Sequence, residues 1–168
     1  MKKLTFLIIA ILLSLTTSAQ TMFSVPELTD SQKFSVAKNL CYNNIVLAIS
    51  YAKSQGKTIE DYAKYGADQI NAAGNFTMGF DQFVNYQLND WAAMAGNVVI
   101  LSQSENKVVI RISQVNPALE TQGPFWNVSY AEMMKWLEAL YARMSQPLGF
   151  SYSMNINDEG ADITIGKK

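Results

Sequence analysis

Two β-hairpin patterns, separated by one helical segment, limit this chain to a small set of folds. In the second hairpin, residues 150–156 (FSYSMNI) alternate strictly between apolar and polar side chains, and the alternation resumes in ADITI after a turn. In the first hairpin, VVILS and VVIRIS flank the polar segment QSENK. Alternation with a period of two is typical of antiparallel strands with one buried and one solvated face.

Helical patterns occupy most of the remaining chain. Three of them precede the first hairpin, at about residues 30–55, 59–73 and 79–95. A fourth begins at a capping box formed by Ser129 and Glu132 and ends near Pro147, and residues 114–127 before it are predicted to be a loop. The order is therefore ααα-ββ-α-ββ. It favours the α+β class, with a four-stranded antiparallel sheet and helices packed on one face.

The first 19 residues have the three parts of a secretory signal peptide. A positive start (MKK) is followed by an apolar run (LTFLIIAILLSL) and by small residues that end at Ala19. The apolar run is shorter than the roughly 20 residues that a membrane-spanning helix needs. We therefore expect a signal peptide at residues 1–19 and one α+β domain at residues 20–168. The domain would be periplasmic or secreted, with no stable membrane anchor after cleavage; a retained signal anchor is the alternative.

Charge and composition argue against several classes of function. Two of the 13 basic residues lie in the predicted signal peptide, which leaves 11 against 14 acidic residues, a net charge of −3. A small negative charge argues against nucleic acid as a partner. The absence of histidine excludes Ser-His-Asp and Cys-His mechanisms and histidine-ligated zinc or haem. No metal site and no cofactor are predicted.

The only cysteine, Cys41, cannot form an internal disulfide. It recurs at helical spacing with Phe34, Ala37, Ile45 and Ala48, which predicts one apolar face on the first helix. We expect this face to point inward and Cys41 to be a small buried core residue.

Amide and aromatic side chains on the helical patterns suggest a small-molecule pocket. Asn44 and Gln87 each project from the apolar face of a helix. An unpaired buried amide costs about 1–3 kcal/mol, so each must find a hydrogen-bond partner: the backbone, the other amide, water or a ligand. Trp91 and, at the edge of the same helical arc, Tyr86 would line such a pocket, and Trp126 in the loop would cover it. Ordinary core packing is the alternative explanation for the aromatic rings.

Two charged features each have a simple and a functional explanation. Arg111, the only charge in VVIRIS, lies either on the solvated sheet face or, if that face is covered, against a ligand carboxylate. In NINDEGADITIG, strands rather than helices flank Asp158, Glu159 and Asp162. This favours a tight hairpin turn, with Gly160 at positive φ, over a calcium loop.

The order of elements resembles a known group of domains. Three helices precede "NVVILSQSENKVVIRISQVNPALE", and a fourth precedes "LGFSYSMNINDEGADITIG". This order resembles the 4-vinyl reductase domain and, more distantly, the aminothiazoline carboxylic acid hydrolase family. The resemblance covers most of residues 20–168, and it implies the α+β fold and a pocket for an apolar or aromatic molecule. Those families carry cysteines around the last helix and hairpin, where this chain has none, so no metal site or catalytic residue is carried over.

The preferred functional hypothesis is an exported domain that binds a small apolar or aromatic molecule between its helices and its sheet. The alternative is a protein-interaction module, such as a homodimer paired through small-residue helix faces or a sheet edge. A histidine-free hydrolase that uses carboxylates is a third hypothesis.

Overall fold

The computed structural model describes residues 27–74 and 77–168. The predicted signal peptide lies outside these residues. The chain divides into two compact units, Met1–Lys33 and Phe34–Lys168. In the described part of the first unit, the Gln32 side-chain oxygen accepts a hydrogen bond of 2.9 Å from the backbone N–H of Thr29. Within the described residues, no helix is both long enough and apolar enough to cross a membrane.

Five α-helices and four strands form the described chain, and their order confirms the predicted α+β fold. The helices are α1 Asp30–Ser54, α2 Ile59–Gly74, α3 Phe80–Met94, α4 Pro117–Gln122 and α5 Tyr130–Ser145. The strands are β1 Asn97–Gln103, β2 Lys107–Ser113, β3 Phe150–Asn157 and β4 Gly160–Lys167, and a short 3-10 helix, Gln146–Leu148, connects α5 to β3.

Local sequence signals set several of the helix ends. The Thr58 hydroxyl accepts a hydrogen bond of 3.0 Å from the backbone N–H of Asp61 and so caps the start of α2. At α5 the predicted capping box is confirmed: the Ser129 hydroxyl accepts from the backbone N–H of Glu132, and the Glu132 carboxylate accepts from that of Ser129 at 2.7 Å.

The four strands form one antiparallel sheet in the order β1-β2-β4-β3. One sheet face is buried beneath the helices and carries Ile110, Ile112, Ile163 and Ile165. The opposite face carries polar side chains, including Arg111, which is paired in register with Asp162. The sheet therefore separates a helix-covered core from an outer polar face, as the alternation predicted.

Small residues allow α2 to pack closely on α5. Ala63 and Ala67 are fully buried on α2. A Cβ added at Gly66 would lie 3.4 Å from the Leu140 side chain, which is already at van der Waals distance. The helix α5 is tied to the sheet in turn, because the Glu138 carboxylate accepts a hydrogen bond of 2.8 Å from the backbone N–H of Met154.

Two sequence predictions are wrong in detail. Cys41 is exposed, because α1 is apolar on nearly all sides and a different side, which carries Tyr42, Val46 and Ile49, faces the core. Residues 114–127 are also not simply a loop, since they contain α4. The Asn116 side chain caps α4 by accepting from the Leu119 backbone N–H, and proline follows directly at its first position.

Candidate functional site

The structure distributes the predicted ligand residues over three environments. Asn44 is exposed on α1, whereas Gln87 and Trp91 are wholly buried on the sheet-facing side of α3. Tyr86 is half-buried on the flank of α3. Trp126 is 46% exposed in the loop before α5, where its ring meets Phe125 edge-on at 4.8 Å. Of these residues, the structure brings together those on α3 and separates Asn44 and Trp126 from them.

A buried polar cluster surrounds the inner side of α3. Both side-chain amide atoms of Gln87 lack a hydrogen-bond partner within residues 27–74 and 77–168, and so does the indole nitrogen of Trp91. The Tyr152 hydroxyl on β3 also meets no partner at hydrogen-bond geometry in the described chain. Burial raises the pKa of Tyr152, and the neighbouring Trp91 indole acts in the opposite direction. The cluster therefore holds several hydrogen-bonding atoms in a largely apolar core.

Asp90 lies at the edge of this cluster, and the sequence did not predict it as a site residue. Burial raises the pKa of the Asp90 carboxyl, while hydrogen bonds from the hydroxyls of Tyr86 and Tyr141 lower it. The Tyr141 bond measures 3.2 Å. Burial also raises the pKa of Tyr141. The spacing of Tyr86 and Asp90, four residues apart on one helix, was the available sequence signal for this pair.

Four of the surface depressions formed by residues 27–74 and 77–168 could hold a ligand. The largest of these four, about 800 Å³, lies between α1 and α2 and is lined by tyrosines that include Tyr51 and Tyr65. A second, about 580 Å³, lies among α1, α2 and α5 and contains Asn44. A third, about 70 Å³, adjoins α4. The fourth lies between α3 and the β1–β2 hairpin and has a volume of about 640 Å³.

We call this fourth depression the α3–hairpin cleft. Its apolar part is formed by Phe80, Val84 and Leu88 from α3 and by Ile100 and Val108 from the two strands. These side chains come from both a helix and the inner sheet face, since Ile100 is paired with Ile110 in the β1–β2 register.

The floor of the cleft is held in place by core packing. Phe80, Val84 and Val108 are each at most 8% exposed. The Phe80 ring meets Phe150 edge-on at 5.5 Å, and the Lys167 ammonium lies 5.2 Å from its centroid. The apolar floor is therefore largely preformed, as is usual for small-molecule sites.

Polar side chains surround this floor. Asp81 and Asn85 reach the cleft from α3, and Gln103 and Ser104 reach it from the end of β1. Ser104 bonds to the backbone of Lys107. A ligand with an apolar body and a hydrogen-bonding end could therefore be held by both parts of the cleft.

The Arg111 guanidinium does not face a covered cavity. It donates to both carboxylate oxygens of Asp162, at 2.7 and 2.9 Å, and also forms an ion pair with Glu159. The hydrogen bond from Arg111 holds the pKa of the Asp162 carboxyl below its usual value. Arg111 thus lies on the outer polar face of the sheet, and the chain's own carboxylates occupy the geometry that a ligand carboxylate would use.

The acidic segment is a hairpin turn, as predicted. Asn157 pairs with Gly160 across a two-residue turn, and Gly160 has a φ of +129°. A Cβ at Gly160 would overlap the Ile112 carbonyl oxygen, so glycine is required both for conformation and for space. In the described part of the chain, no group of three or more Asp, Glu or Cys side chains is placed to hold a metal ion.

No family model matches this chain, and neither a curated protein nor a solved structure is significantly similar to it. Its class is therefore defined by the fold: an α+β domain with a four-stranded antiparallel sheet in the order β1-β2-β4-β3.

Proposed function

We propose that this protein is an exported domain that binds a small apolar or aromatic molecule in the α3–hairpin cleft. The observation that carries the proposal is a preformed apolar floor in an open cleft between a helix and a sheet, with four polar side chains around it. A volume of about 640 Å³ falls within the range of roughly 300–1,000 Å³ that is usual for small-molecule sites.

The lining of the cleft limits the chemistry of the ligand. The planar ring of Phe80 and the branched side chains around it favour an aromatic or compact aliphatic body. Asp81 can accept hydrogen bonds, and Asn85 and Gln103 can both donate and accept. We therefore expect aromatic amines and alcohols to bind better than aromatic carboxylates, which would meet Asp81 as a like charge.

The test is a thermal-shift screen with small aromatic amines, alcohols and carboxylates. A compound present at about 100 times its dissociation constant stabilises the native state by about 2.7 kcal/mol. For a domain of this size, that raises the melting temperature by roughly 5–10 °C. The proposal expects such increases for amines or alcohols and smaller ones for the matched carboxylates.

Two adjacent residues of β1 provide a matched pair of variants. Ile100 and Val99 are 45% and 44% exposed, but Ile100 lines the cleft and Val99 faces the opposite side of the sheet. Ile100→Glu should abolish the ligand-induced shift, because it places a charge against the apolar floor, whereas Val99→Glu should retain it. Equal shifts in the two variants, or no shift with any compound, would contradict the proposal.

Export is a separate part of the proposal and rests on the pattern of residues 1–19. It predicts that the protein recovered from outside the cytoplasm begins at Gln20, which N-terminal sequencing of that protein checks. A mature protein that retains the first 19 residues would refute it.

A further inference from the structure

The two outer strands of the sheet differ in how their backbone edges are covered. In the order β1-β2-β4-β3, these outer strands are β1 and β3. Two side chains of α5 cover the edge of β3. The Glu138 carboxylate accepts from the backbone N–H of Met154 at 2.8 Å, and the hydroxyl of Ser145 donates to a backbone carbonyl at the start of β3 at 3.3 Å. The edge of β3 is therefore closed to a further strand.

The edge of β1 has no such cover in the described part of the chain. The Ser113 carbonyl accepts a hydrogen bond of 3.0 Å from the backbone N–H of the glycine before β1, so Ser113 directs its backbone groups toward β1. This direction alternates along a strand, so Arg111 faces β1 as well and bonds to its partner Val99. Val98 and Ile100 therefore direct their N–H and C=O groups outward, where no hydrogen bond from a described residue reaches them.

The sequence of β1 also lacks the residues that usually protect an exposed edge. Asn97–Gln103 (NVVILSQ) contains no charged residue and no proline, and Val99–Leu101 are 44–45% exposed. Natural edge strands commonly carry lysine or proline, or are covered by another element. A bulge between Ile100 and Ser102 ends the regular ladder, so four residues of regular edge precede it. This length is enough for a short partner strand.

The α3–hairpin cleft opens beside this edge. Ile100 belongs to both, because its side chain lines the cleft and its backbone groups point outward. The side chains of Val98 and Ile100 lie on the inner sheet face, as do those of their partners Ile112 and Ile110. Residues directly opposite one another in an antiparallel pair share a sheet face. A strand added to β1 would therefore bond to it through alternate residues, and the side chains of those same residues would point toward the cleft.

Charge favours a strand that carries a basic residue. Asp81 is the only charged residue that lines the cleft, and no lysine or arginine of the described ranges lies at ion-pair distance from it. A lysine or arginine in the added strand can pair with this carboxylate, whereas an acidic residue would be repelled by it. The rest of the strand faces the uncharged β1 and requires no charge.

A second copy of this chain fits the edge less well than a different chain does. Antiparallel pairing of β1 with β1 of another copy would continue the sheet with both copies of α3 on the same side. Each copy would then bring its own cleft, and its Ile100 would point into that cleft rather than into the other one. The two clefts would join into a larger hollow, which close packing disfavours. A strand with large side chains fills the cleft instead.

We propose that the edge of β1 binds an extended segment of another protein as a fifth, antiparallel strand. Large apolar or aromatic side chains of the segment occupy the α3–hairpin cleft, and a basic residue pairs with Asp81. In this mode of recognition, main-chain hydrogen bonds provide affinity and pockets for alternate side chains provide specificity. The inference rests on the proposed function for the use of the cleft, whereas the backbone pairing along β1 is independent of it.

The first test measures binding of synthetic peptides to the full chain by isothermal titration calorimetry. The peptides have the form acetyl-KTXTVT-amide, in which X is Phe, Trp, Leu or Ala. The first three should bind, and the alanine peptide should bind at least about tenfold more weakly, because it leaves the cleft unfilled. Replacement of the leading lysine by glutamate should also weaken binding. If none of the four peptides binds, or if the alanine peptide binds as tightly as the others, the proposal is overturned.

Backbone pairing is tested by N-methylation of the phenylalanine peptide. Its third and fifth residues carry the inward side chains, so their N–H groups are the ones that face β1. Methylation of these two nitrogens should weaken binding by at least about tenfold, because it removes two donors. Methylation of the second and fourth nitrogens, which face solvent, is the matched control and should leave binding nearly unchanged. Equal weakening by the two modifications would overturn the added strand.

Val98 provides the corresponding test on the protein. Val98→Pro removes an outward N–H that the described fold does not use, and proline is tolerated at such edge positions. Val98→Ala shortens the side chain but keeps this N–H, so it is the matched control. Val98→Pro should bind the phenylalanine peptide at least about tenfold more weakly than Val98→Ala does. Thermal melts establish that both variants are folded, and equal binding by two folded variants would contradict the proposal.

Failure of this inference can be distinguished from failure of the proposed function. Small aromatic amines and alcohols require only the cleft, so they should still raise the melting temperature of Val98→Pro. Binding of these compounds without binding of any peptide would overturn the fifth strand alone. Binding of peptides without binding of the compounds would support the fifth strand and overturn the small-molecule ligand. Self-association of the unmodified protein that Val98→Pro abolishes, measured by analytical ultracentrifugation, would assign the edge to a second copy and overturn the proposal.

Discussion

Replacement of Gln87 by leucine should stabilise this protein, which is unusual for a change at a fully buried position. Gln87 is 0% exposed, and neither its amide nitrogen nor its amide oxygen has a hydrogen-bond partner in the described chain. Its neighbours on the inner side of α3 are Phe83, Val84 and Trp91, all buried. The amide has therefore lost its bonds to water without gaining protein bonds in return.

The magnitude follows from the cost of that loss. A buried donor or acceptor without a partner costs about 1–3 kcal/mol. A leucine of similar volume removes this cost and adds apolar contact. Its imperfect fit in a packed core lowers the gain by up to about 1.5 kcal/mol. We expect the free energy of unfolding to rise by about 1–2 kcal/mol. The melting temperature should rise by roughly 2–8 °C.

Chemical denaturation of the variant and the parent checks this value, and Ser145 provides the control. Ser145 is also 0% exposed, but its hydroxyl contacts the carbonyl oxygens of Ala142, at 2.9 Å, and Phe150, at 3.3 Å. Ser145→Ala should therefore lower stability by about 0.5–1.5 kcal/mol. If Gln87→Leu is destabilising to a similar degree, the Gln87 amide is hydrogen-bonded in solution and the reasoning is refuted.

Three further changes test the hairpin turn and the carboxylates. Gly160→Ala should lower the free energy of unfolding by about 3 kcal/mol or more, because the new Cβ adds both backbone strain and overlap with the Ile112 carbonyl oxygen. Gly56→Ala is the control: Gly56 has a φ of +69° but open space around it, so the cost should be only about 1–2 kcal/mol, and thermal melts distinguish the two variants. Burial raises the folded-state pKa of Asp90, so the Asp90 carboxyl contributes most to folding stability in acid, and this contribution is lost as pH rises through the folded-state pKa. Relative to the parent protein, Asp90→Asn should therefore be more stable at neutral pH than it is in acid. The hydrogen bond from Arg111 lowers the pKa of Asp162, so Asp162→Asn should cost stability at neutral pH. This cost should shrink as pH falls from the unfolded-state pKa near 3.9 through the lower folded-state pKa. Denaturation curves across pH measure how the effect of each variant changes with pH; the two slopes should have opposite signs, and equal signs would contradict one of the two predictions.

The closing hairpin and α5 could be predicted because their determinants are local. Strict alternation places Phe150 and Tyr152 on the buried face whatever the rest of the chain does. Gly160 is required by the turn itself, and the capping box fixes the start of α5 at Ser129 and Glu132. Each of these signals involves residues within a few positions of one another, so a single sequence contains them in full.

The inward side of α1 could not be predicted, because its determinants lie far away in the sequence. The Tyr42 hydroxyl donates to the carbonyl of Met94, and the Lys53 ammonium donates to the Glu132 carboxylate at 2.6 Å. These contacts join α1 to α3 and α5 across more than 50 residues. On a helix that is apolar nearly all round, such contacts select the buried side, and periodicity alone selected the neighbouring one.

The candidate site also has one part that the sequence predicted and one part that it did not. The burial of Trp91 followed from its position in the apolar arc of α3. The cleft itself also requires Ile100 and Gln103 from β1, and the register of that strand shifts at a bulge between Ile100 and Ser102. A bulge exchanges the two faces of a strand beyond it. Because the sequence does not reveal this bulge, it does not show which β1 side chains complete the cleft.

Asn44 shows why an amide on an apolar helical pattern does not identify a pocket by itself. An amide within a buried apolar face needs a hydrogen-bond partner, and this requirement suggested a ligand. Asn44 lies instead on the exposed side of α1, together with Leu40 and Leu47, where water can satisfy the amide. Core packing accounts for Tyr42, Val46 and Ile49 on the other side of the same helix, so the buried side of α1 is fixed by contacts that the helical period does not contain.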